Sequence, residues 1–378
     1  MQWGLPDFVF RAAVRSRGRG VRELGDVIVC VGDVAAVIQV KARAEVSDDS
    51  AREASWLASK IPKGMSQASG TLRALARKER EVLVNERGNQ VEVEYASKIW
   101  VPVVVVDHPS ADGYLPEPGA VVLVRRDWEF LFDQLKSTDA VIRYLHRVKD
   151  DAPLPLGQEP IRYYQIAAAD AVAPPQPMST AGLAGDPVHI SLPVLPQVPA
   201  GAEGGAHLLL QTILEETAAC PRPSGVSENE YLDVLAAMDT LVVGHRSDLG
   251  DLLLGWLEEA AAIPADTTRW RTRRIMGVGQ PQLLFSVVSQ VNQDLQGMFS
   301  LLVRLRHQQL IEALPELRHD LTVGVLLAPD HAGQRPWVTT LCAVSGPWDL
   351  TLEDRGAVEA LWPQRPDEQI LQDGPATT

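Results

Sequence analysis

Asp26-Val27-Ile28-Val29-Cys30-Val31-Gly32-Asp33-Val34-Ala35-Ala36-Val37-Ile38-Gln39-Val40-Lys41 is the stretch that decides the fold. Two apolar runs, Val27 to Val31 and Val34 to Val40, flank Gly32-Asp33, and each predicts a strand. Glycine at the first of two linking positions suits a type II′ turn, so the pair predicts a hairpin. With Val31 facing Val34, the register sets Asp26 opposite Gln39. Side chains alternate along a strand, which puts Gln39 and Lys41 on one side. A carboxylate, an amide and an ammonium thus gather at the margin of a hydrophobic ribbon, where an unpaired charge is costly.

The 378 residues suffice for two domains, and 46% apolar with 22% charged residues is ordinary for a globular protein. No apolar run approaches the roughly 20 residues that span a bilayer. The start, Met1 to Asp7, lacks the basic-then-apolar layout of a secretion signal. Cys30, Cys220 and Cys342 are too few and too scattered for a disulfide framework or a zinc site. A cytoplasmic location and no membrane partner are expected. The net charge of −14 argues against indiscriminate nucleic-acid binding. Residues 1–80, however, hold 14 Lys and Arg against 9 Asp and Glu, a local +5, with Arg11, Arg15, Arg17, Arg19 and Arg22 just before the hairpin.

Beyond the hairpin the pattern predicts a helix from about Ser50 to Arg80, interrupted at Pro62. Strands follow at 90–95, 98–106 and 120–124, then helices at 127–135 and 138–148. Strands covered by helices describe an α/β layered domain over residues 1–150. Proline, glycine and alanine punctuate residues 151–205, which predicts a linker with one short strand at 188–192. Residues 206–378 are expected to form a second, α+β domain. It would open with helices near 207–219, 228–242 and 247–262. Strands at 269–276 and 283–290, a helix at 292–314 and strands at 321–327 and 337–344 complete it.

A metal-dependent nuclease needs an acidic residue and a second oxygen ligand for Mg²⁺, with a cation near the attacking water. Asp26, Gln39 and Lys41 supply these parts, and Glu23 is a further candidate ligand. With Gly25-Asp26, Gln39-Val40-Lys41 and the helix that follows, the chain resembles the PD-(D/E)XK nuclease superfamily. It is most similar to the Mrr-like variant in which Gln replaces the second acid. The resemblance covers about residues 1–150 and implies a restriction-endonuclease-like αβββαβ core, a mixed sheet flanked by helices. It also implies hydrolysis of DNA with Mg²⁺ or Mn²⁺, and a role in restriction or defence against foreign DNA. Asp26 corresponds to the metal-binding aspartate, Gln39 to the variable ligand and Lys41 to the catalytic lysine. No proline precedes Asp26, a departure from the pattern.

Trp56, Lys60, Lys63, Gln67 and Thr71 recur at helical spacing opposite Leu57, Ile61, Met65, Ala68, Leu72 and Leu75. Lys60, Lys63 and Gln67 are therefore candidates to face the site and touch DNA, as are Arg17, Arg19 and Arg22, of which Arg17 and Arg19 belong to a basic loop, Arg17-Gly18-Arg19-Gly20. The alternative reading of each is an ordinary solvated surface. Cys30 shares the Asp26 side by alternation but suits a small buried apolar role. Arg269 to Arg274 is the basic cluster of the second half, expected on a solvated or salt-bridged strand. That half, otherwise acidic, is expected to recognise a protein partner or to dimerise. The competing reading of the whole is a nuclease-fold protein without catalysis, acting as a binding or scaffold module.

Overall fold

The computed structural model describes residues 3–11, 15–17, 20–22, 26–43, 45–172, 204–264, 266–275, 280–313, 321–330, 335–347, 350–361 and 370–371. Along the chain run β1 (Val9–Arg11), β2 (Arg15–Arg17), β3 (Gly20–Arg22), β4 (Asp26–Val31), β5 (Val34–Ala42) and α1 (Ser50–Ala76). Next come β6 (Arg80–Asn85), β7 (Gln90–Glu94), β8 (Ile99–Asp107), β9 (Val121–Val124), α2 (Arg125–Leu135), α3 (Thr138–Val148) and α4 (Glu159–Val172). The rest is α5 (Gly204–Ala219), α6 (Glu228–Asp239), α7 (Val243–Ala261), β10 (Trp270–Ile275), β11 (Gln282–Val288), α8 (Gln293–Ala313), β12 (Leu321–Pro329), β13 (Trp337–Ser345), α9 (Leu352–Leu361) and β14 (Ile370–Leu371).

Two compact units result, the first comprising the described residues up to 169 together with 221–243. Its seven-stranded sheet has the order β7-β6-β1-β4-β5-β8-β9, parallel across β5-β8-β9 and antiparallel elsewhere. The hairpin has the expected register: Val31 pairs Val34 and Asp26 pairs Gln39. Gly32 adopts φ 51° while Asp33 keeps a negative φ, as the first and second positions of a II′ turn require. The turn is held by its neighbours. The Ile99 amide donates to the Asp33 carbonyl at 2.7 Å, the Lys98 ammonium donates to the Gly32 carbonyl, and Arg143 pairs with the Asp33 carboxylate.

Helix α1 lies on one sheet face. Leu57, Ile61 and Met65 pack on Val104, Val106, Val122 and Val124, and Ala68 meets Ile28, Cys30, Ala35, Val37 and Trp100. Each large apolar side chain so buried is worth about 1.5–3 kcal/mol before entropy. An Ile61→Asp change would therefore break this layer. The helix is continuous through Pro62, contrary to the expected interruption. Pro62 and Ala58, whose carbonyl loses its donor, both lie on the exposed face open to solvent, and packing on either side keeps the helix continuous.

Three further elements depart from expectation. Residues 80–85 form β6 instead of a helix end, after Glu79 turns the chain at φ 61°. Residues 159–172, within the stretch read as linker, form α4, where Pro160 sits in the first turn and alanines sustain the helix. The expected strand at 188–192 lies outside the described residues. Helix α6 belongs to the first unit, not to the second. Its Asn229 side chain accepts from the Glu92 amide at 3.1 Å and donates to the Glu92 carbonyl at 2.7 Å, which covers the β7 edge as a strand would. At its other end buried Asp239 accepts from Ser137 Oγ and from the Asp139 amide, 2.9 Å away, at the start of α3.

In the second unit five strands run β13-β12-β11-β10-β14. Helix α8 connects the parallel pair β11 and β12 and buries Phe299, Leu302 and Val303 against Leu284, Val288 and Leu326. A Cβ at Gly324 would lie 2.4 Å from Val303 Cγ2, so only glycine lets α8 approach this closely. The chain thus combines a large mixed sheet flanked by helices with a second, smaller sheet. Among the described residues no helix is long and apolar enough to cross a membrane.

Burial pushes the Asp139 carboxyl up to about 6, opposed by Arg143 and reinforced by Asp239 and Asp33. Its folded value lies above the ordinary 3.8, so the stability associated with the protonated form is lost as pH rises from about 3.8 to about 6. Asp139→Asn should flatten the pH dependence of the urea midpoint across that window. Parallel wild-type and variant curves would contradict this.

Candidate functional site

Because β5 alternates, Gln39, Lys41 and Arg43 point toward α1, and the Arg43 amide extends the β8 pairing to the Asp107 carbonyl at 3.3 Å. Lys41 Nζ donates to Gln39 Oε1 and to Gln67 Oε1, both at 2.9 Å. The first bond joins neighbours on one strand face; the second ties the strand to the helix. Lys41 passes beneath α1 at Gly64, where an added Cβ would lie 2.9 Å from Lys41 Cε and 3.1 Å from Val104 Cγ1. Glycine inside a helix costs about 1 kcal/mol relative to alanine, and here it makes room for the lysine.

Gln39 is 2% exposed. Its amide orientation follows from chemistry: Oε1 must face the ammonium, since the alternative sets two donors together. Nε2 is then buried without a hydrogen-bond partner, a state that costs about 1–3 kcal/mol. Asp26 lies directly across the hairpin by backbone register.

At the ends of β5 and β8 a second polar group is buried. Glu53 Oε1 accepts from Arg43 and from the Ser47 amide, both at 2.9 Å, and its Oε2 lies 2.6 Å from His108 Nε2. A backbone N–H can only donate, so the Ser110 amide, 3.0 Å from Nδ1, fixes the tautomer with the proton on Nε2. Trp56 stacks on His108 with ring centroids 4.9 Å apart and receives Arg43 at 5.8 Å. Burial pushes the Glu53 carboxyl up, but the Ser47 amide, the His108 hydrogen bond and the charge of Arg43 outweigh it and leave it below its ordinary value. This group clamps the first turn of α1, itself capped by the Asp49 side chain, onto the strand ends beside Lys41.

The sequence candidates are thus distributed unevenly. Gln39, Lys41 and Gln67 come together. Lys60 is half-buried and Lys63 exposed on the same helix. Arg17 and Arg22 lie on the antiparallel pair β2 and β3, while Gly18 and Arg19, the middle of the expected basic loop, and Glu23 lie outside the described residues. Cys30 is buried, and burial raises its thiol to about 12, opposed by Lys98, as its apolar role requires. In the second unit Arg271 pairs with Glu259 at 2.6 Å, within the expected salt-bridged strand. The Arg43, Glu53 and His108 cluster was not anticipated. Its one available signal was the extension of the Gln39, Lys41 alternation to Arg43. Among the described residues no group of three His, Cys, Asp or Glu side chains could hold a metal ion. No protein-family model, curated protein or solved structure matches this chain.

Two consequences are measurable. Gly64→Ala should shift Lys41 Nζ out of reach of Gln67 Oε1 in a crystal structure while circular dichroism reports an intact helix; an unmoved lysine would contradict the packing argument. Because Glu53 has a lowered folded value, its contribution is complete above about 4.5 and is lost as pH falls through the folded value. Glu53→Gln should therefore lose part of the wild-type acid lability, read from urea midpoints between neutral and acid pH.

Proposed function

We propose that the first unit is a metal-dependent nuclease that hydrolyses DNA phosphodiester bonds in the cytoplasm, as a restriction or defence enzyme. One observation carries this reading: an ammonium, Lys41, is held by Gln39 and Gln67 on the strand whose register sets Gln39 opposite Asp26. The order of hairpin, helix α1 and parallel β8 supports a restriction-endonuclease-like core and the resemblance to the PD-(D/E)XK superfamily. The described residues before β4 hold a short 3-10 turn and strands, not the helix that opens such a core.

The donor chemistry fits Mg²⁺ or Mn²⁺. An aspartate and an amide oxygen are hard ligands, and Mg²⁺ commonly takes one or two protein groups and completes its shell with water and phosphate oxygens. Asp26 would hold it with the remaining lone pair of Gln39 Oε1, and Glu23 is a further candidate. When bound, the ion would lower the pKa of a water and offset charge on the phosphate. Lys41 would stabilise the negative charge that builds on the phosphate as the bond to the leaving oxygen lengthens. Gln67 positions Lys41, and Gly64 lets it reach the site. Lys60, Lys63, Arg17, Arg19 and Arg22 would meet the DNA backbone. The second unit would recognise a protein partner or a second copy.

A second reading, a noncatalytic binding module, is favoured by one observation: the side chains described at the site are amides and an ammonium, with no carboxylate cluster. The two readings diverge in one assay. Purified protein should nick or cut DNA with Mg²⁺ or Mn²⁺, and Lys41→Ala and Asp26→Ala should each lower the rate by about 10²-fold or more with the fold retained. Cutting undiminished in both variants, or absent in the wild type, would remove the enzymatic assignment.

A further inference from the structure

Gln39 occupies the position where a second carboxylate would be a stronger metal ligand, and an amide there need not be only a weakened acid. We propose that Gln39 donates a hydrogen bond through Nε2 to a nonbridging phosphate oxygen of a nucleic-acid strand, so that the site binds the phosphate before any metal arrives. The choice of a nucleic acid rests on the nuclease reading; the donor role does not.

Lys41 Nζ lies 2.9 Å from Gln39 Oε1, and turning the amide would press an NH₂ group against an ammonium. Nε2 therefore diverges from Lys41 and stays there. It is enclosed, on a residue 2% exposed, and has no hydrogen-bond partner. Folded proteins seldom leave such a donor unmet, and each one calls for an explanation, a catalytic or ligand-binding role among them. A donor calls for an acceptor, and an acceptor beside an ammonium is best negatively charged. The two glutamine oxygens orient that ammonium beside the Gln39 amide. Lys41 and Gln67 are half-buried, so a strand would approach the enclosed amide past these two side chains. The excess of basic residues in positions 1–80 favours a polyanion over a free anion. A glutamate at position 39 could accept from Lys41 and bind a metal, but it could not donate.

The test uses the full chain, labelled oligodeoxynucleotides and excess EDTA, with thermal melting to verify folding of each variant. Wild type should bind the oligonucleotide without metal, and Gln39→Glu and Gln39→Leu should each weaken binding at least about 10-fold, the loss of one bond to a charged group. Metal-free binding by Gln39→Glu as tight as wild type would overturn the proposal. Asp26→Ala removes a negative charge and should tighten metal-free binding. A loss equal to that of Gln39→Glu would mean that the amide acts within the protein, and would also overturn it. Inorganic phosphate should compete weakly; affinity equal to that of the oligonucleotide would overturn the polymer assignment. Cleavage is scored separately. A chain that binds metal-free DNA through Gln39 yet cuts nothing with Mg²⁺ or Mn²⁺ keeps this inference and loses the catalytic one.

Discussion

The first unit is organised around a two-residue reversal at Gly32-Asp33. A side chain period of two means that a one-residue slip would turn every inward residue of β5 outward, exchanging Val37, Gln39 and Lys41 for Ala36, Ile38 and Val40. The molecule invests several contacts in preventing this. Glycine takes the positive φ of the turn, Lys98 and the Ile99 amide hold its carbonyls, and Arg143 reaches from α3 to its carboxylate. Strand β8 then pairs along the whole of β5, from Val34 to Ala42. The placement of every polar group under α1 follows from that register.

Lys41 shows how two amide oxygens orient a charge beneath a helix. The lysine stem runs past Gly64 and Val104 while its ammonium reaches two amide oxygens, one on its own strand and one on the helix above. Nearby, Arg43 is handled differently: Glu53, buried with His108, receives it as an ion pair. The two cations lie two residues apart on one strand face, Lys41 against two amide oxygens and Arg43 against a carboxylate. The Arg43 ion pair anchors the first turn of α1.

Much of this was legible in local pattern. The hairpin register, the turn class, α2, α3, β8, β9 and the α5, α7 and α8 helices follow from apolar periodicity, which depends only on neighbours along the chain. Gln67 was placed toward the site by helical spacing from Trp56 through Thr71. What failed locally was overridden from afar. Pro62 did not interrupt α1 because packing against two sheet clusters supports both halves. Strand β6 was missed because its charged start, Arg80-Glu81, carries little signal until β1 and β7 pair with it. Helix α6 looked like part of a second domain because nothing in its own sequence reveals that Asn229 meets β7 and Asp239 meets α3.

The sequence by itself determined that Asp26 would oppose Gln39 and that Lys41 would share its side, because a two-residue turn leaves one register and a strand has one alternation. Only the tertiary structure decided that Gln39 gives its oxygen to Lys41 and keeps an unmet N–H, that Gly64 admits the lysine stem, and that Glu53 and His108 seal the strand ends. Those outcomes depend on where α1 settles on the sheet, and that is set by the summed packing of residues far apart in the chain.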